Sequence, residues 1–194
     1  MARPRVGGGA GRAGADVRHA HPSPLTQVPP VAELLAGDFT SWRRVADDPP
    51  ADLAPWARAH LDELCAWADR GLAMLTGDTL CHVDVRADNL LIDATGGVTV
   101  VDWPWAARGP AWLDTAMLLL DVRLHGGHDT EALLRRLPLT AADPDAVTGL
   151  YAGLAGFFTD RARRPPPPGI RTLRAFQRAQ SDALLSWLAE RLGA

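Results

Sequence analysis

Residues 80–93 read LCHVDVRADNLLID, and residues 98–105 read VTVVDWPW. The first stretch places His82, Asp84 and Asn89 ahead of an apolar run, and the second sets Asp102 at the end of another. The two runs, NLLID and GVTVVDW, are separated by Ala94, Thr95, Gly96 and Gly97, which predicts a β-hairpin with a glycine-containing turn. The hairpin returns Asp102 beside Asn89. The five-residue step from Asp84 to Asn89 lets a tight loop aim both side chains into one cleft.

This arrangement suits phosphoryl transfer. That chemistry needs a carboxylate to orient or deprotonate the attacking hydroxyl, and oxygen ligands to hold magnesium against a triphosphate. Asp84 fits the first task, and Asn89 and Asp102 fit the second. A lone Asp, Asn or His near a hairpin is most often a turn residue or a cap. That reading predicts no ordered pair of motifs followed by a matching helix.

HVDVRADNLLID, VTVVDWPWA and GPAWLDTAML together resemble the C-terminal lobe of the aminoglycoside phosphotransferase family, small-molecule kinases related in fold to protein kinases. The similarity runs from about residue 31 to the C-terminus. The resemblance implies a mainly α fold with a small β-hairpin. It makes Asp84 the catalytic base, Asn89 and Asp102 the magnesium ligands, His82 a brace of the loop, and Asp114 the helix-borne aspartate that hydrogen-bonds the loop backbone. Arg86 stands where protein kinases carry a loop lysine, which suggests contact with the transferred phosphate. Trp103 and Trp105, next to Asp102, are candidates to line the nucleotide or acceptor pocket, with Trp103 assigned to the nucleotide. The cofactors implied are Mg2+ and ATP as phosphate donor.

Two positions depart from the family pattern. Val83 stands where many relatives have Gly, and Asp102 is followed by Trp103, Pro104 and Trp105 rather than Phe and Gly. Pro104 fixes its own φ, which argues against a flipping activation segment.

A kinase also needs an N-terminal lobe with a Gly-rich loop between strands, a strand lysine and a helix glutamate. All 20 basic residues here are Arg. GAGRAG at 9–14 satisfies G-x-G-x-x-G formally, but no strand precedes it and no lysine follows. The chain is therefore expected to lack the N-terminal lobe, which would uncover the apolar floor of the nucleotide cleft. Because positioning and electrostatics supply most of this catalysis, activity of the isolated chain is expected to be very low unless a protein partner supplies the lobe.

Residues 1–30 are rich in Gly, Pro and Arg without apolar periodicity and read as a disordered tail, leaving 31–194 as the lobe. VAELLAG predicts a short helix. Leu53, Trp56, Ala57, His60, Leu61, Leu64, Ala68, Leu72 and Leu75 predict another, with Asp52 as its cap and Gly77 as its stop. After the hairpin, PAWLDTAMLLLDVRL, DTEALLRRL and PDAVTGLYAGLAGFFTDRA read as helices, the last with Val147, Leu150, Tyr151, Leu154 and Phe158 on one face. Pro165 to Pro168 stiffen the link to a final helix through Leu173, Phe176, Leu184, Leu188 and Leu192.

A net charge of −3 gives no reason to expect a nucleic-acid or acidic-membrane partner. The longest apolar run, near residues 116–120, is too short to span a bilayer. Cys65 and Cys81 share no metal or disulfide spacing, and a cytoplasmic protein with reduced thiols is expected. HGGHD at 125–129, with His82 and Asp84, invites a metallohydrolase reading, but zinc sites hold their histidines on rigid elements and this stretch reads as a solvated loop.

The expected function is transfer of the ATP γ-phosphate to a hydroxyl of a small molecule, aminoglycoside-like or other. The alternative is a non-catalytic remnant or binding module that keeps the metal–nucleotide half-site, with a metallohydrolase more distant. Asp121, Asp160 and Asp182 in the C-terminal helices are candidates to attract a cationic acceptor.

Overall fold

The computed structural model describes residues 27–136 and 142–193. The elements run α1 (Val31–Phe39), α2 (Ser41–Asp47), α3 (Pro55–Ala59), α4 (Leu61–Met74), β1 (Thr79–Cys81), a 3-10 turn (Ala87–Asn89), β2 (Leu90–Ile92) and β3 (Val98–Val100). β4 (Ala107–Gly109), α5 (Leu113–His125), α6 (Thr130–Arg136), α7 (Pro144–Ala162) and α8 (Leu173–Leu192) follow. Among the described residues no helix is long and apolar enough to cross a membrane.

Glycines on α7 set how closely the helices pack. A Cβ on Gly149 would lie 2.4 Å from the Gly71 Cα of α4, so the two backbones touch where neither residue carries a side chain. Gly153 meets the Phe39 ring of α1, and Gly156 meets Trp42 of α2. The Trp42 indole N–H donates to the Ala152 carbonyl at 2.7 Å. On the other side, Tyr151 packs against Trp187 of α8 with ring centroids 4.3 Å apart, and its hydroxyl donates to the Ala116 carbonyl of α5 at 3.1 Å. The sequence predicts one apolar face for α7, yet every residue from 146 to 156 is buried. The glycines and alanines opposite the expected stripe are buried too, because small residues pack a helix from all sides.

The predicted hairpin forms, with β2 and β3 antiparallel and Leu90 opposite Val100, Leu91 opposite Thr99 and Ile92 opposite Val98. Its turn is organised by Asp93, whose carboxylate accepts from the Thr95 and Gly97 N–H groups. A second sheet has no counterpart in the sequence reading: β1 pairs antiparallel with β4, Cys81 opposite Ala107 and Thr79 opposite Gly109. Three-residue strands carry too little alternation to show a period of two. The Arg108 N–H donates to the Pro29 carbonyl at 2.8 Å, and its Nε–H to Val28 at 3.1 Å. Residues 28–30, expected in the tail, are thus part of the sheet edge, while residues 1–26 with GAGRAG lie outside the described residues.

The helix predicted across residues 53–75 is two helices that break at His60. Asp52 does not cap it. α3 starts at Pro55 behind Ala54, since proline has no N–H to satisfy and its φ suits the first helical position. α4 ends at Met74, three residues before Gly77. Gly77 instead lets the chain pass Gly109, where a Cβ would meet the Gly109 carbonyl oxygen at 2.5 Å.

Candidate functional site

The loop between β1 and β2 is held from below by α5. The backbone N–H groups of His82 and Val83 both donate to Asp114, at 2.8 and 2.9 Å, one to each carboxylate oxygen. The Ala87 N–H donates to Asp121 at 2.9 Å. Seven residues separate the two acids, which is two helical turns, so one helix face pins both ends of the loop. Asp121 is 8% exposed and spent on this bond; it is not the acceptor-facing charge expected from the sequence. Its spacing from Asp114 was the sequence signal for this role.

Between these anchors the loop ties itself to the hairpin. The His82 ring nitrogens are both engaged: Nε2 lies 2.8 Å from the Val101 carbonyl oxygen and Nδ1 lies 3.2 Å from the Asp84 N–H. A carbonyl can only accept and an N–H can only donate, so the ring is the neutral Nε2–H tautomer. The Asn89 amide donates to the Asp84 carbonyl at 2.8 Å, and the Asn89 carbonyl accepts from the Val101 N–H at 2.9 Å. Asp84 and Asn89 are therefore joined directly, with Asp102 the next residue after Val101.

Two residues of this region hold left-handed backbone, Val83 at φ 68° and Asp102 at φ 64°. Such a φ is costly for a β-branched side chain, about 1–3 kcal/mol, and persists only where surrounding bonds enforce it. At Val83 the two Asp114 bonds do so. The position where relatives carry Gly is thus one where Gly would be unstrained, and Val gains burial in exchange, being 5% exposed.

Asp84 faces a cavity of about 390 Å³ formed by α1, α5, α7 and α8, with Leu34, Trp105, Met117, Leu154 and Phe157 among its walls. Burial pushes the Asp84 carboxyl above the ordinary carboxylate value, and Arg86 draws it back only in part. Arg86 Nε lies 3.4 Å from an Asp84 oxygen, close enough for charge attraction, yet its N–H is not directed at that oxygen and this buried donor makes no hydrogen bond. Its Nη2 reaches Asp88 at 3.2 Å.

The two tryptophans beside Asp102 separate. Trp103 packs edge-on against His82, with centroids 4.7 Å apart, donates its indole N–H to Val100 at 3.0 Å and is 43% exposed. Trp105 lines the cavity. Between them Pro104 occupies a turn closed by the Ala106 N–H on the Trp103 carbonyl.

Other sequence candidates lie elsewhere. Asp160 is 1% exposed and held by Arg44, Arg163 and Arg164. Asp182 is exposed on α8 and outside the cavity wall. His125 closes α5 with Nδ1 2.8 Å from the Asp121 carbonyl oxygen. Among the described residues no three His, Cys, Asp or Glu side chains are grouped to hold a metal ion.

No curated protein and no solved structure matches the chain. The family model described as "phosphotransferase enzyme family" matches residues 2–150, which contain the loop, the hairpin and both α5 carboxylates, and the chain belongs to that family.

Proposed function

We propose that the chain carries the lower half of an ATP- and magnesium-dependent phosphotransferase site that acts on a hydroxyl of a small molecule. The observation that carries this reading is the direct Asn89–Asp84 bond, inside a loop pinned at both ends by α5, with the Asp84 carboxylate on the wall of a cavity. In this reading Asp84 is the proton acceptor, and the cavity it lines is the space an acceptor alcohol would fill.

The donor set fits magnesium. The Asn89 amide nitrogen is spent on the Asp84 carbonyl, which leaves its amide oxygen for a cation, and Asp102 is exposed and has no ion pair among the described residues. Two hard oxygen donors suit Mg2+, which takes its remaining ligands from water and phosphates. Bound there, the ion would neutralise charge on the phosphates of ATP. Asp84 orients the hydroxyl and takes its proton, aided by a carboxyl that burial makes more basic than usual. Arg86, whose guanidinium lies beside Asp84, contacts the transferred phosphoryl group in this reading. His82 and Asp114 hold the loop, and Trp103 presents its exposed indole surface to the nucleotide.

A second reading, a binding module without turnover, draws support from the absence of lysine and from the exposed apolar side chains of the hairpin. Leu91, Ile92 and Val98 are 58%, 71% and 58% exposed. In the catalytic reading a protein partner carrying the upper lobe covers this face.

Calorimetric titration of the purified chain with ATP, with and without magnesium, tests the proposal. Metal-dependent binding that disappears in Asp102→Asn is the expected result. Asn tolerates the left-handed backbone at residue 102, so the variant removes charge without breaking the turn. A folded chain that binds no ATP with magnesium overturns the reading.

A further inference from the structure

We infer that the cavity beside Asp84 takes a neutral, largely apolar alcohol rather than a polycationic amino sugar. The inference rests on the function proposed above only in making Asp84 the group that meets the hydroxyl; the preference itself comes from the walls.

A polyamine acceptor must exchange its hydration for protein carboxylates, so its pocket needs a clear excess of negative charge. This cavity has none. Its charged wall residues are Asp38, Asp84, Arg161 and Arg174, two of each sign. Asp38 and Arg161 approach to 3.8 Å and largely cancel one another. Arg174 is engaged within the wall, donating to the Pro165 carbonyl at 3.1 Å and to the Gln177 side-chain oxygen at 2.7 Å. Asp84 already has Arg86 beside it. The other acids on the cavity-forming helices α5 and α7 are engaged elsewhere: Asp114 accepts the His82 and Val83 N–H groups, Asp121 the Ala87 N–H, Asp145 pairs with Arg70, and Asp160 is buried among three arginines.

The remaining wall is aliphatic and aromatic. α1 contributes Leu34, α5 Met117, α7 Leu154 and Phe157, α8 Leu173, and the turn after Asp102 contributes Trp105. Trp105 is 53% exposed, a large apolar surface left uncovered at the mouth. A volume of about 390 Å³ lies in the range of small-molecule sites, in which apolar walls supply the burial and a few polar groups fix orientation. Here Asp84 and Gln177 are those groups. The alcohol's hydroxyl points to the Asp84 carboxylate, and its apolar body lies between Phe157 and Trp105.

Two probes discriminate. Calorimetric titration of the full chain with estradiol, a neutral polycyclic alcohol, and with kanamycin, a polycationic amino sugar, is done without nucleotide. Estradiol is expected to bind at least about tenfold more tightly, a difference well within what apolar burial provides. Trp105→Arg adds charge at an exposed position that cannot disturb the core, and is expected to weaken estradiol binding at least about fivefold with an unchanged circular dichroism spectrum. Tighter kanamycin binding, no saturable estradiol binding, or estradiol binding indifferent to Trp105→Arg overturns the inference. ATP binding with magnesium, measured separately, reports on the phosphotransferase reading alone.

Discussion

Removing the Asp114 carboxylate is expected to release the loop that carries Asp84, and the cost can be worked from its bonds. Asp114 accepts the His82 and Val83 N–H groups at 2.8 and 2.9 Å. Hydrogen bonds to charged groups contribute about 1.5–3 kcal/mol each, so the pair is worth about 3–6 kcal/mol at full burial. Asp114 is only partly buried, and water replaces some of what is lost, which brings Asp114→Ala to about 2–4 kcal/mol. Asp114→Asn keeps one acceptor but sets an amide NH2 against the second N–H, so it recovers at most about half of that loss. Urea unfolding followed by circular dichroism measures both variants, with an unchanged m-value showing that the folded state stays compact. At a typical slope, Asp114→Ala moves the midpoint by about 1–2 M. A change below about 0.5 kcal/mol in Asp114→Ala would refute the view that this carboxylate holds the loop.

Gly149→Ala pushes a methyl into the Gly71 backbone, where no side chain can yield, and is expected to cost at least about 3 kcal/mol by thermal or urea unfolding. Asp84→Asn is expected to raise stability at neutral pH while abolishing any transfer, because the Asp84 carboxyl titrates above its ordinary value and ionising it costs the folded state. The advantage of the variant should be greatest near pH 7 and vanish below about pH 4, where Asp84 is protonated whether folded or unfolded. Asp160→Asn behaves in the opposite sense. Burial alone would raise the Asp160 pKa, but bonds from Arg163, Arg44 and Arg164 outweigh it and hold the carboxyl below its ordinary value. The substitution should cost about 2–4 kcal/mol at pH 7, measured by urea unfolding, with the difference shrinking as pH falls below about 4 and Asp160 itself becomes protonated.

The family and the hairpin were legible in the sequence because they depend on local order. HVDVRADN and VVDW state residue types at fixed spacing, and the apolar runs around Gly96 and Gly97 specify a turn and a register without reference to the remainder of the chain. The long helices showed themselves through period, although the break at His60 did not, since apolar spacing continues across it. Tertiary structure alone decided the rest. The β1–β4 sheet joins segments nearly thirty residues apart and is too short to leave a pattern in either. The same three-dimensional placement turned Asp121 from a charge available to a ligand into a backbone acceptor, sealed Asp160 among three arginines and sent Trp105, not Trp103, into the cavity wall. A carboxylate's residue type fixes what it can accept, but only the neighbours brought by the fold fix whether it remains free to act, because burial and prior hydrogen bonds consume it.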